Sequence, residues 1–323
     1  MRRNAAAATT SDQAIAAYRR VLKRQTIARA IRMRPIYLLL LLSMTLLVVF
    51  KYGPIYGLVI AFKDYNFYDG ALGSPWNDFA HFKRLFKDPF FLRVFFNTFW
   101  LSVLRLVFGF PCPIILALLL NEVRVSLYRR VVQTISYLPH FISWVILAGI
   151  LTEVLSPQRG IIAHFYTLLG MEPVHWLTNK ATFRGLLVVT GIWQGIGWSS
   201  IVYLAALSSI DPGLYESASI DGANRWQKTL SITLPSLIPV MTILFLIQIG
   251  NILDESFAQI FNLYNPLVYS VADVFDTYIY RSGIEEARFD YSAAVGLFKN
   301  AAGVIILVAA NSIIKRFSEY HIW

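Results

Sequence analysis

Cysteine is nearly missing from this chain of 323 residues: Cys112 is the single one. One thiol excludes an intramolecular disulfide and any cysteine-based metal cluster. Charge is scarce as well, at 15% of residues, where a soluble chain carries roughly 25%. Catalytic signatures are missing too. No G-x-x-x-x-G-K-[ST] phosphate loop occurs, so ATP is not expected to be hydrolysed on this chain. His81, His140, His164, His175 and His321 lack metal-ligand spacing such as H-E-x-x-H, so they read as structural histidines and no metal is expected. No nucleophile–base constellation is visible, which points away from an enzyme.

What is abundant is apolar surface. Hydrophobic residues make up 56% of the chain and the mean hydropathy is +0.54. Several apolar runs reach the roughly 20 residues needed to cross a hydrocarbon core. Six spans are expected, at about 35–62, 90–120, 131–155, 183–208, 233–255 and 291–314. The second is too long for one straight crossing and too short for two, so a single helix kinked near Pro111 and Pro113 is expected. Arg105 in that span costs roughly 3 kcal/mol at a helix centre, which its apolar neighbours offset at about 0.3–0.6 kcal/mol each. The fold class is an all-α membrane protein.

The net charge of +10 concerns orientation rather than nucleic acid, and no nucleic-acid partner is expected. Residues 1–34 hold nine Lys and Arg, with a weak helical stripe of Ile15, Tyr18, Leu22 and Ile31. A tail hugging anionic lipid and a specific docking role both remain open for this leader. Together with the loops after the second and fourth spans and the C-terminus, the leader brings one face to sixteen Lys and Arg; the loops 63–89, 156–182 and 256–290 hold eight. Both termini and segment 209–232 are therefore expected in the cytoplasm, with residues 35–323 forming one transmembrane domain.

Segment 209–232 contains DPGLYESASIDGANRWQKTLSI. Asp211 is a good N-cap and Pro212 suits the first helical position. Asp221-Gly222 is a turn signal, because glycine takes the left-handed conformation cheaply. A second helix then carries Trp226 towards Pro235, where the fifth span begins. Leu214, Ala218, Ile220, Ala223 and Trp226 make this segment unusually apolar for a solvated loop. Apolarity alone would suit a helix lying on the lipid. The spacing says otherwise: Glu216, Ala218, Gly222, Ile232, Leu234 and Pro235 match E-A-A-x3-G-x9-I-x-L-P, with Ser217 in place of one alanine.

That signature, placed before the penultimate span, resembles the permease subunits of oligosaccharide ATP-binding-cassette importers, related to the maltose-type permeases. FKYGPIYGLVIAFKDYN (50–66), NTFWLSVLRLVFGFPCPIILALLLNEVR (97–124) and YLPHFISWVI (137–146) resemble the lipoprotein- and polysaccharide-type branch. The resemblance implies a type I importer permease fold in a bacterial inner membrane. It implies an oligo- or polysaccharide cargo, with alginate or another uronate as candidate. Its partners would be a second, different permease, two ATPase subunits that hold ATP and Mg, and an extracytoplasmic sugar-binding protein. By motif match, Glu216 would make a polar contact with the ATPase and Gly222 would allow the turn. Ala218, Ala223 and Trp226 would pack in the ATPase cleft, with Asp221, Leu234 and Pro235 completing the coupling segment.

For the pathway, Gln248, Asn251 and Glu255 form a polar stripe on the expected fifth span, with Gln259 one turn on and Asp254 beside it. A translocation lining and a structural hydrogen-bond seam both fit this stripe. Trp193, Gln194 and Trp198 on the fourth span could serve a sugar path, although membrane tryptophans are commonly interface or packing residues. Asp254 and Glu255 would repel a polyanion unless paired; Arg105, Arg93, Lys51 or Lys299 could compensate. Gly191 and Gly195 form a small-xxx-small pair compatible with close helix approach. An ion-coupled secondary transporter is the alternative, but no inverted repeat is evident. A membrane enzyme would want flanking carboxylates, and Asp254-Glu255 and Glu285-Glu286 are sequence neighbours that splay apart.

Overall fold

The computed structural model describes residue 23, residues 32–254 and residues 256–317. Most of the basic leader, with its stripe, and Glu255 lie outside the described residues. The chain divides into two units, Met1–Val59 and Ile60–Trp323.

Prolines shape the helices of both units. In the first, α1 (Arg34–Leu47) runs into a wide π turn at Val48–Tyr52, two residues before Pro54. In the second, α2 (Pro89–Leu104) widens at Arg105–Gly109 and resumes as α3 (Pro111–Glu122). A proline has no N–H for the carbonyl four residues back and its ring clashes there, so the backbone winds wide instead of breaking. The expected kink of the second span is this π turn. α4 (Ser126–Tyr137) and α5 (Trp144–Val154) follow, separated by a tight turn at Leu138–Phe141. α6 (Lys180–Ser208) is the long fourth crossing, started by the Asn179 side chain accepting from the Ala181 N–H.

Among the described residues, five helices are long and apolar enough to cross a bilayer: Arg34–Phe62, Pro89–Glu122, Lys180–Ser208, Arg225–Gly250 and Phe289–Arg316. The pair Ser126–Phe141 and Trp144–Val154, bent by 105°, supplies a sixth when taken as one crossing. The expected third span over 131–155 is thus no straight helix. Pro139 removes a donor within the tight turn Leu138–Phe141, and extended Ile142 and Ser143 restart the chain in a new direction.

After α6 come α7 (Pro212–Ile220) and α8 (Arg225–Lys228). A π turn at Thr229–Thr233, again two residues before a proline, joins α8 to α9 (Leu234–Gly250). The fifth crossing therefore begins at Arg225 and stops at Gly250, where 233–255 was expected.

Segment 256–290 also departs from expectation. The expected external loop is a folded insert, containing α10 (Phe257–Leu263) and α11 (Phe275–Tyr280) before α12 (Phe289–Phe317). Ile260, Leu263, Val268, Ala272, Val274 and Phe275 are buried. Polar pins complete the docking. Asn97 Nδ2 donates to Asp273 O at 3.1 Å, Arg184 Nη2 to Asn97 Oδ1 at 2.7 Å, and Arg184 Nε to Val271 O at 2.9 Å. These contacts put the middle of α2 and the start of α6 beside the insert. The α7–α8 segment joins the far end of α6 to the start of α9, so it lies at the opposite end of the bundle.

Candidate functional site: coupling elbow and inner cavity

The elbow is built by local hydrogen bonds. Asp211 caps α7 by accepting from the Gly213 N–H at 2.9 Å, with Pro212 in the first turn. The helix ends in a Schellman turn: the Ala223 N–H reaches Ala218 O at 2.9 Å and the Gly222 N–H reaches Ser219 O at 3.2 Å. Gly222 sits at φ +77°, the left-handed region that favours glycine. α8 opens with a capping box, in which the Gln227 N–H donates to Asn224 Oδ1 at 2.9 Å and the Asn224 N–H to Gln227 Oε1 at 2.7 Å.

Two bonds brace the arms against each other. Tyr215 Oη and Thr233 Oγ1 share a hydrogen bond at 3.0 Å, and Lys228 Nζ donates to Ser219 Oγ at 2.6 Å. The apolar residues are left outside: Ile220 is 87% and Trp226 76% exposed. Glu216, Asp221 and Pro235 are exposed, whereas Ala218, Ala223 and Leu234 are half-buried. Residues 216–226 thus gather on one projecting elbow, and Leu234 and Pro235 start α9 behind it. The second elbow helix is not separate, because α8 continues into the fifth crossing through the π turn.

The candidate pathway residues are partly brought together. A cavity of about 520 Å³ opens between the α2–α3 junction, α6 and α9, and Gln194, Trp198 and Gln248 line it with Arg105, Tyr203 and Gln259. Trp193 does not line it, and Asn251 is the C-cap residue of α9, away from its wall. The polar stripe on one helical face does not exist, because α9 stops at Gly250 and Gln259 stands on α10. Cavity wall and hydrogen-bond seam are divided between these residues. Gln259, 1% exposed, donates from Nε2 to Leu187 O and Thr190 Oγ1, each at 2.8 Å, and accepts from Arg105 Nη2 at 2.6 Å. Gln248 faces the cavity.

Three arrangements escaped sequence reasoning because their members are far apart in the chain. Trp198 stacks on His140 at 4.7 Å with the rings 3° apart, so the bend between α4 and α5 covers one face of the tryptophan. Lys299 on α12 pairs with Asp254 and, at 2.6 Å, with Asp276, which offsets the repulsion expected from Asp254. Burial pushes the Asp276 carboxyl above its ordinary range, and the hydrogen bond and charge of Lys299 pull it back. His81 stands 3.3 Å from Asp290 Oδ2 and 3.9 Å from Asp64 Oδ1, tying segment 63–81 to the start of α12.

Helices of this length around a largely apolar cavity that also carries Arg105, Gln194, Gln248 and Gln259 make this a polytopic membrane protein. Residues 109–321 match the family described as the binding-protein-dependent transport system inner membrane component. The polygalacturonan/rhamnogalacturonan transport system permease protein YteP of Bacillus subtilis (strain 168) is 41% identical over 301 residues, 93% of this chain and 94% of that protein. Protein LplB of the same strain is 42% identical over 284 residues, 88% and 89% of the two chains. A chain in the crystal structure of a bacterial ABC transporter involved in the import of the acidic polysaccharide alginate superposes with a TM-score of 0.83 at 43% identity, covering 89% of this chain and 97% of that one. A chain of the bacterial alginate ABC transporter in complex with an alginate pentasaccharide-bound periplasmic protein gives 0.82 at 43% identity, with 90% and 97% covered. This chain belongs to that inner-membrane component family and is the membrane-spanning permease of an ABC importer.

Proposed function

We propose that this permease conducts acidic oligosaccharides, of the galacturonan or alginate kind, inward across a bacterial inner membrane. It works beside a second, different permease and two ATPase subunits, which bind ATP and Mg and do the catalysis; this chain is non-catalytic. An extracytoplasmic binding protein delivers the sugar. The elbow end is cytoplasmic, and alternating access is driven by ATPase closure acting on that elbow. The cargo class is supported by the acidic polysaccharides that the similar permeases carry.

The observation that carries the coupling role is the rigid, braced elbow with Ile220 and Trp226 turned outward. A surface helix resting on lipid would not need two braces and a capping box. A cleft in a partner subunit gains from both the fixed shape and the exposed apolar side chains. Leu234 and Pro235 lie where elbow motion enters α9, so displacement is passed to the cavity wall at Gln248. Gln194, Trp198 and Gln248 are the sugar-facing residues of this chain.

The test is uptake of labelled oligogalacturonate by proteoliposomes holding the full complex, binding protein and ATP. Glu216→Lys and Gly222→Pro abolish uptake and substrate-stimulated ATPase activity while the protein still inserts and assembles. Proline cannot take φ +77°, and lysine reverses the charge offered to the ATPase. Undiminished uptake in either variant removes the coupling role.

A further inference from the structure

A second cavity, of about 620 Å³, lies at the end of the bundle opposite the elbow, between the start of α2, the insert and the turn that leads into α12. Its wall holds five cations, Arg84, Lys87, Arg93, Arg281 and Arg288, against three carboxylates. Each carboxylate is already engaged. Asp88 accepts from the Phe90 N–H at 2.9 Å and from the hydroxyls of Tyr278 and Tyr291 at 3.2 and 3.1 Å. Asp273 is paired with Arg281, and Glu286 with Arg288 at 3.3 Å.

The cations are not all so engaged. Among the described residues, Lys87 and Arg93 have no carboxylate within ion-pair distance, and both are exposed. Arg84 lies 5.4 Å from the ring centre of Tyr291, an aromatic contact rather than an ion pair. Arg288 pairs with Glu286 through Nη1 and lies 4.4 Å from the Tyr291 ring centre, and its buried Nη2 has no hydrogen-bond partner among the described residues. Aromatic groups stand among these charges: Arg93 is 5.5 Å from the Phe90 ring, and Arg281 is 5.1 Å from that of Tyr269. Cations with spare donors beside apolar rings match a sugar acid, whose carboxylates take charge-assisted bonds while its C–H faces meet aromatic carbon.

We propose that this outer cavity is a carboxylate-binding subsite for a uronate chain, engaged before the sugar enters the membrane-spanning cavity. The inference rests on the acidic cargo proposed above and adds a site to it. Lys87 and Arg93 take carboxylates at the rim, while Arg281 and Arg288, held in place by Asp273 and Glu286, add positive charge at the wall. A neutral sugar of the same shape gains nothing from these groups.

Binding is measured on the purified permease–ATPase complex without its binding protein, using a galacturonate tetramer and its carboxyl-reduced neutral counterpart as probes. The tetramer binds with an affinity that falls steeply as salt rises, and the neutral probe does not bind. Lys87→Gln/Arg93→Gln, a rim pair whose exposure spares the fold, weakens the tetramer about tenfold. Arg288→Gln does the same in complex that still assembles and melts like the wild type. Equal affinity for both probes, or unchanged tetramer binding in both variants, overturns the subsite. So does a rim pair that keeps tetramer binding but loses affinity for the binding protein, since the patch then serves a protein partner. Wild-type uptake in proteoliposomes separates the two levels. Uronate import with unaltered variants leaves the cargo standing without the subsite. Charge-selective tetramer binding without uronate import supports the subsite and removes the cargo.

Discussion

A methyl group on Gly197 would stand 2.1 Å from the Ser136 carbonyl oxygen and 2.8 Å from the Tyr137 nitrogen. Both neighbours are backbone, so neither can swing away, and α6 could meet α4 here only by moving a helix. Gly197→Ala therefore costs about 1–3 kcal/mol, in the range of an overpacked core, and lowers the melting temperature of the solubilised complex. Gly195→Ala, with nothing within 4 Å of the added carbon, leaves it unchanged. The small-xxx-small pair at Gly191 and Gly195 thus misleads. Gly191 faces Gln259 at 3.4 Å, Gly195 faces open space, and the close approach falls two residues beyond the pair. Spacing within one helix shows which glycines share a face but not which face meets a neighbour.

At the scale of elements, local chemistry read well wherever a cap or a proline decided the outcome. Asp211-Pro212 starts α7, Asp221-Gly222 stops it, and three π turns fall two residues ahead of Pro54, Pro111 and Pro235. The Gly222 turn gives a graded prediction. No atom lies within 4 Å of where its Cβ would stand, so only the dihedral opposes substitution. Gly222→Ala costs about 1–2 kcal/mol of left-handed strain and slows coupled uptake. Gly222→Asn keeps most of it, because asparagine visits that region through its short polar side chain. Equal loss in both would locate the effect in contacts with the ATPase rather than in the turn. The end of α9 was not legible. Helix continues past Gly250 by pattern, but Ser102 Oγ donates to Ile252 O, Leu253 is buried and Asp254 pairs with Lys299. Tertiary partners capture these three residues and pull the chain out of helical register.

Across the whole molecule, Lys299 binds α12 to both the end of α9 and the insert. It is little exposed and stands between Asp254 and the half-buried Asp276. Lys299→Met leaves two like charges facing each other without a cation. That costs about 3 kcal/mol, the lower part of the range for a buried pair broken on one side. Thermal unfolding shows the loss, and adding Asp276→Asn returns part of it because one repelling charge is gone. A melting curve insensitive to Lys299→Met would mean that the apolar contacts of the insert alone hold it down.

Composition and local spacing were enough to establish that the chain crosses a membrane, roughly where its crossings lie, and that an elbow precedes the fifth. Those features depend on hydrophobic run length, on caps and on glycine or proline dihedrals, all settled within a few residues of the chain. The bend between α4 and α5, the folding of 256–290 into the bundle, the stacking of His140 on Trp198 and the outer basic cavity came only from tertiary structure. Each depends on groups up to about two hundred residues apart, as with Asp88 and Tyr291. Whether a polar side chain there lines a cavity or closes a seam is decided by which partner the packed helices bring within hydrogen-bond reach.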